Sequence, residues 1–202
     1  MIGSGLDLQR AMAAWRELAP DLDLRPVELP AASDPAALQA MLNALDRDGA
    51  TAFVAADARF LNFYRLELMS IVRGHGVAMP PLVERGAIVG ANVKILHNTW
   101  IGAGAIIQPG CRIGFNVVIG PGAVVGGSVE IGQSAFIDAG VTVGHGARIG
   151  NKATLGLGVS IGHGVAIGAQ CVIDRPGRIE ADVAAKTFIH SSHAHPMVIV
   201  GG

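Results

Sequence analysis

Histidines are the groups in this chain best suited to moving a proton near neutral pH, and there are seven: His75, His97, His145, His163, His190, His193 and His195. Two of them, His145 and His163, stand in the matching segments VGHGARIG, from Val143, and IGHGVAIG, from Ile161. An imidazole in that setting suits general-base work, taking a proton from a hydroxyl or an amine as it attacks a carbonyl. The plain alternative is a solvated surface histidine. His190, His193 and His195 crowd into IHSSHAHP. No carboxylate or thiolate complement accompanies them there, so a polar tail is expected rather than a metal site.

A fixed period places these residues. From Val83 to Ala184 the sequence reads as 17 units of six, among them IGAGAI from Ile101, VGHGAR from Val143 and IGHGVA from Ile161. Position one is aliphatic and position five is nearly always Ala, Val or Cys. Self-similarity of this kind marks a solenoid. Each unit makes a short flat strand and a turn, three units make a triangular coil, and coils stack at about 4.8 Å. Position-one side chains fill the prism and position-five side chains fit the tighter space beside them. Glycines at positions two and four are expected to turn the backbone with positive φ.

His145 and His163 are both position-three residues, outward at a corner and one coil apart on the same face. His97 also takes position three, but eight units from His145, which puts it on another face. Cys111 and Cys171 take position five and so face inward. They lie more than three coils apart, roughly 15 Å, beyond disulfide reach.

Ahead of the repeat, residues 1–82 alternate differently. A helix is expected over 6–18, a short strand over 25–29, and a helix over 33–49 that opens on Ser33 and Pro35 and closes at Gly49. A buried strand follows at 51–56 and an amphipathic helix at 58–73. Alternation of this sort builds a small parallel α/β unit. The unit is expected to cap one end of the prism, and the tail over 185–202 the other. IGSG at 2–5 has the glycines of a phosphate-binding turn, though no strand precedes it in this reading. Asp57 at the end of the 51–56 strand borders the same region, or caps the next helix.

Composition narrows the classes. Half the residues are hydrophobic, aromatics are 4 %, charged residues are 15 %, and there are 28 glycines. Disorder is excluded by the apolar content, and collagen by the absence of glycine at every third residue. A net charge of −1 leaves no basic stripe for nucleic acid. Mean hydropathy is +0.46, yet no apolar run approaches the ~18 residues of a membrane helix. The opening MIGSGLDLQR lacks the pattern of a secretory signal, so a cytoplasmic location is expected.

The repeat [LIV]-G-x-x-[AVC]-x resembles that of the hexapeptide-repeat proteins. A small α/β unit ahead of it is similar to the bacterial sugar acyltransferases of the sialic acid O-acetyltransferase and nucleotide-amino-sugar N-acetyltransferase group. The resemblance implies a mainly β fold: a left-handed parallel β-helix over 83–184 preceded by a small Rossmann-like α/β domain. It implies transfer of an acyl group, from acetyl-CoA or another acyl-CoA, to an amino or hydroxyl group of a nucleotide-activated sugar in surface-glycan biosynthesis. The protein would be a homotrimer with clefts between prisms, and no metal would be needed.

In that family a histidine in a VxHDxxIG-like segment is the base, and VGHGARIG puts His145 there. The resemblance further implies acyl-CoA contacts at Thr154, His163 and Ala181, while the glycine turn at 2–5 and the edge of the 51–56 strand offer acceptor contacts at Gly3, Gly5 and Asp57. His163 stands where the family has a glycine whose N–H holds the thioester oxyanion. Thr154 stands where a second histidine is usual, and Gly146 where Asp or Glu orients the base. The chain ends in PMVIVGG instead of the family's GxPA(R/K) segment. A catalytically inactive scaffold is the competing reading. A metal hydratase on the same solenoid needs three histidines around Zn²⁺, with a His-x4-His pair not expected here.

Overall fold

Position-one aliphatics turn inward all along the repeat: Ile101, Ile107, Ile113, Ile119, Ile137, Leu155 and Ile173 are all but sealed from solvent. Position-five residues, from Ala105 to Cys171, complete the same core. The computed structural model describes residues 1–29, 39–40, 42–43, 49–58 and 61–198. Over 82–190 these form a β-solenoid of about six turns with three faces. The first face stacks Leu82–Val83, Trp100–Ile101, Val118–Ile119, Phe136–Ile137, Thr154–Leu155, Val172–Asp174 and Thr187–His190. The second runs from Ile88–Val89 to Gly177–Ile179 and the third from Lys94–Ile95 to Ala166–Ile167. Partners in neighbouring coils are parallel and separated by three units of the repeat, as in Val118↔Phe136 and Thr142↔Ser160.

The two glycine positions do different work. Position four carries the positive φ, at Gly104, Gly146 and Gly164 but also at Asn98, Asn116, Ser134 and Lys152. Position-two glycines do not take positive φ. They are required because the next coil passes too close: a Cβ on Gly144 would sit 2.6 Å from the His163 nitrogen. Of the two glycine positions, only position four takes the positive φ expected of both.

The unbroken six-residue register also fails at the last coil. Ile161 pairs with Ile179 at the usual spacing, but Ile167 bridges to Val183 and Val172 pairs with Phe188, each short of a full coil by two positions. The turn between Ile179 and Val183 is two residues short. Val183 thereby moves from position five to a position-one role. Strand Thr187–His190 continues the first face beyond residue 184, and Met197–Val198 adds an antiparallel edge.

The N-terminal unit has a parallel sheet of three strands, β1 (Ile2–Gly3), β2 (Val27–Glu28) and β3 (Val54–Ala55), in the order β2-β1-β3. The first two residues of IGSG are themselves a strand, β1, at the centre of the sheet. Helix α1 (Gly5–Leu18) follows it directly. Helix α2 (Phe63–Gly74) starts five residues later than expected, because Leu61 and Asn62 take left-handed φ of 63° and 51°, which a right-handed helix does not hold. Its N-cap is Asn62, so Asp57 does not cap it. The helix expected over 33–49 lies largely outside the described residues; Gln39, Ala40, Leu42 and Asn43 are helical.

This unit packs along the side of the prism. Ala11, Phe53 and Ala55 bury against Leu82 and Trp100, because the first face presents the apolar position-six residues Trp100, Val118 and Phe136 outward. Val89 in the first coil stays 39 % exposed. Arg65 of α2 locks the contact. It is fully buried and donates to Val54 O (2.9 Å), Asn116 O (3.0 Å) and Asn98 O (2.6 Å). Asn98 Oδ1 accepts from the Val54 N–H at 2.8 Å, and its Nδ2 donates to Asn116 Oδ1 at 2.9 Å. Burial pulls the Arg65 guanidinium down to about 9, opposed by the charge of Asp7, so it remains a cation at neutral pH.

Candidate functional site

One corner of the prism, between the second and third faces, stacks Pro109, Gly127, His145, His163 and Ala181 at position three of successive coils. His145, His163 and Ala181 are exposed. The His145 N–H donates to Nδ1 of His163 at 3.0 Å. Nδ1 is therefore an acceptor, and the neutral His163 ring carries its proton on Nε2. Among the described residues the His163 N–H has no acceptor. An exposed imidazole and a backbone donor unengaged among the described residues thus lie one coil apart; a base and an oxyanion donor are the groups that transfer to a carbonyl carbon calls on.

The third face begins at this corner and carries an open groove of about 950 Å³ lined by Lys94, Arg112, Glu130, Arg148 and Asp182 among others. Arg112 pairs with Glu130 at 3.3 Å.

Thr154 lies elsewhere. It belongs to the first face, is buried, and its Oγ1 accepts from the Leu61 N–H at 3.3 Å. Within one chain it does not meet His145. Gly3 is a packing glycine, since a Cβ there would lie 1.8 Å from the Ala55 carbonyl oxygen. Gly5 has a φ of 53° at the start of α1. Asp57 lines a cavity of about 280 Å³ between the N-terminal unit and the first face, with Asp7, Arg10, Trp100, Phe136 and Asp138. His145 and Asp57 thus occupy different faces of one prism.

The other histidines separate from the corner. His97 stacks on Phe115 at 4.9 Å and contacts Arg73; burial and that cation hold its pKa below the usual range. His190 stacks on Phe188 and lies 3.8 Å from Asp174. His190 and His195 do have four residues between them, contrary to expectation. Among the described residues, however, no group of three metal-ligating side chains converges. Cys111 and Cys171 are free, buried thiols that burial pushes up in pKa.

Residues 80–115 and 110–145 match the model of the bacterial transferase hexapeptide, which spans six repeats. Over those residues the solenoid carries the hexapeptide repeat of the bacterial transferases. No curated protein matches the sequence. Among solved structures, PerB from Caulobacter crescentus, in complex with CoA and GDP-perosamine, is 22 % identical with a TM-score of 0.80, over 97 % of this chain and 96 % of that one. The acetyltransferase domain of PglB from Neisseria gonorrhoeae FA1090, in complex with acetyl coenzyme A, is 20 % identical with a TM-score of 0.71, over 97 % and 98 %. WeeI from Acinetobacter baumannii AYE is 16 % identical with a TM-score of 0.51, over 98 % and 99 %. The likeness spans both the α/β unit and the solenoid. No helix among the described residues is long and apolar enough to cross a membrane.

Two residues beside these candidate sites escaped the reading of the sequence. Between residues 102 and 168 every position-two residue is glycine except Gln108 and Asp138. Gln108 lies at the His145 corner and Asp138 lines the Asp57 cavity. The interruption of the glycine rule was the available signal.

Proposed function

We propose that the protein transfers an acyl group from acetyl-CoA or another acyl-CoA to an amino or hydroxyl group of a sugar, nucleotide-activated, in surface-glycan synthesis. The observation that carries this is the corner pair: an exposed imidazole at His145 beside the unengaged N–H of His163. His145 takes the proton of the acceptor as its nitrogen or oxygen attacks the thioester carbonyl. The His163 N–H steadies the oxyanion, and collapse expels the CoA thiolate, which takes up a proton. His163 and Ala181 flank the pantetheine arm, and the cations Arg112 and Arg148 of the adjoining groove suit CoA phosphates.

The acceptor is assigned to the Asp57 cavity. Its carboxylates Asp7, Asp57 and Asp138 suit sugar hydroxyls or an ammonium group, and Arg10 is the cation there for a phosphate. Gly3 and Gly5 shape the β1–α1 turn beside it. Because this cavity and His145 lie on different faces, a complete site needs His145 of one chain over the cavity of another. A homotrimer with its clefts between prisms meets that need. The relatives solved with CoA and with GDP-perosamine support the reading.

A non-catalytic binding scaffold is the second reading, favoured by Gly146 beside His145 and by the burial of Thr154. Calorimetry with acetyl-CoA and longer acyl-CoAs, followed by thiol release in the presence of amino and hydroxy sugars, free and nucleotide-linked, separates the two. Acceptor-dependent thiol release supports transfer. Binding without turnover on any acceptor supports the scaffold, and no binding at all overturns the acyl-CoA assignment.

A further inference from the structure

A histidine base works best when one ring nitrogen is free to take a proton and the other holds its hydrogen against an acceptor, which fixes tautomer and orientation. The residue after His145 is Gly146, which offers no side chain, and among the described residues the His145 ring makes no ion pair or hydrogen bond. An acceptor is nevertheless close. A methyl group placed on Gly127, one coil before His145, would lie 3.2 Å from His145 Nδ1, 3.4 Å from the Pro109 carbonyl oxygen and 3.7 Å from Gln108 Oε1. One small space, open because residue 127 is glycine, therefore borders the imidazole nitrogen and two carbonyl oxygens.

Gln108 is held in that place. Its Oε1 accepts from the Gly127 N–H at 3.0 Å, which leaves a second lone pair on the same oxygen. It also interrupts the position-two glycine pattern at this corner. From the opposite side, His163 fixes the main chain of His145 through the 3.0 Å bond to its N–H.

We propose that Gln108, with the Pro109 carbonyl, is the positioning group for His145: Nδ1–H is directed at these oxygens across Gly127, and Nε2 is left free as the base. The groups bordering Nδ1 from the preceding coils are neutral. The titratable side chains near it are His163 in the following coil and Arg148 three residues on. The catalytic consequence rests on the acyl-transfer reading; the tautomer does not.

The test is nitrogen-15 NMR of the intact, histidine-labelled protein without substrate, at a pH where His145 is neutral. The wild type is expected to show the Nδ1–H tautomer at His145. Gln108→Leu, which removes the acceptor, and Gly127→Ala, which fills the space but keeps the Gln108 bond, should both shift His145 toward Nε2–H. Gln108→Glu, which keeps an acceptor oxygen, should hold Nδ1–H. Thermal melts confirm that each variant is folded. In turnover, Gln108→Leu should lose about tenfold in kcat, part of the 10²–10⁴ a general base supplies, with the KM for acetyl-CoA unchanged within about twofold. An Nε2–H tautomer in the wild type, or one unmoved in both Gln108→Leu and Gly127→Ala, overturns the proposal. If no acceptor is ever turned over, the acyl-transfer reading fails while the tautomer still decides this one.

Discussion

The His145 N–H is occupied by the His163 ring, at 3.0 Å, while the His163 N–H has no acceptor among the described residues. The two corners are alike in backbone and opposite in availability. The side chain and the main chain of residue 163 can therefore be tested apart. His163→Gly keeps the backbone donor and should lower turnover by less than about tenfold. His163→Pro deletes the donor, and proline is tolerated at position three, as Pro109 and Pro121 show. Its expected loss in kcat is about 10²–10³, that of one oxyanion donor. Equal effects of the two substitutions on kcat would remove the N–H from the mechanism.

Arg65 ties the N-terminal unit to the prism by donating to Val54 O within the unit and to the Asn98 and Asn116 carbonyls of the solenoid. Arg65→Met retains the packing volume but strands Val54 O and Asn98 O, while Asn116 O keeps its bond from Asn62 Nδ2 at 2.8 Å. A loss of about 3–5 kcal/mol in unfolding free energy is expected, since each buried acceptor left unsatisfied costs about 1–3 kcal/mol. In calorimetry this should lower Tm by about 10 °C or more. An unchanged Tm would show that the clamp carries little of the domain contact.

His97 makes stability depend on pH. Its pKa in the folded protein is lowered from 6.5, first by burial and then by Arg73. Between the lowered value and 6.5 the unfolded chain binds more protons, so stability rises with pH through that window and levels off above it. Acidification below about pH 6.5 should destabilise the wild type more than His97→Phe, which keeps the ring stack on Phe115 but has no proton to gain. Parallel pH profiles from denaturant titrations would contradict this.

Assembly is open to a direct check. A site that needs His145 of one chain and the Asp57 cavity of another should exist only in the oligomer. Light scattering should give three times 20.7 kDa, and mixing His145→Ala chains with Asp57→Ala chains should restore part of the activity that each lacks alone. A monomeric mass at working concentration would contradict the shared site.

Much of this architecture was readable from the repeat, because position one and position five follow from packing inside a narrow prism. Cys111 and Cys171 faced inward as that logic requires. What the period could not show was its own interruption. The two-residue deletion between Ile179 and Val183 leaves a sequence that still scans in sixes, and the pairings of Ile167 with Val183 and Val172 with Phe188 reveal it. Arg65 lies in an amphipathic helix where an arginine ordinarily faces water, and two of its acceptors are the carbonyls of Asn98 and Asn116, far along the chain in the solenoid. Thr154 was placed beside the acyl group by resemblance alone; in the single chain it lies under Leu61. His145 was legible as an outward corner residue, but not that its ring borders, at Gly127, the same small space as the oxygens of Gln108 and Pro109 from two coils earlier.

The central claim is that His145 is the base in acyl transfer. It is tested most directly by replacing it with alanine and measuring acetyl-CoA affinity and acceptor-dependent thiol release on the same preparation. His145 is exposed at a corner, so the prism should fold unchanged. Acetyl-CoA affinity should stay within about twofold while kcat falls by about 10²–10⁴. Turnover by His145→Ala at close to the wild-type rate would contradict the account.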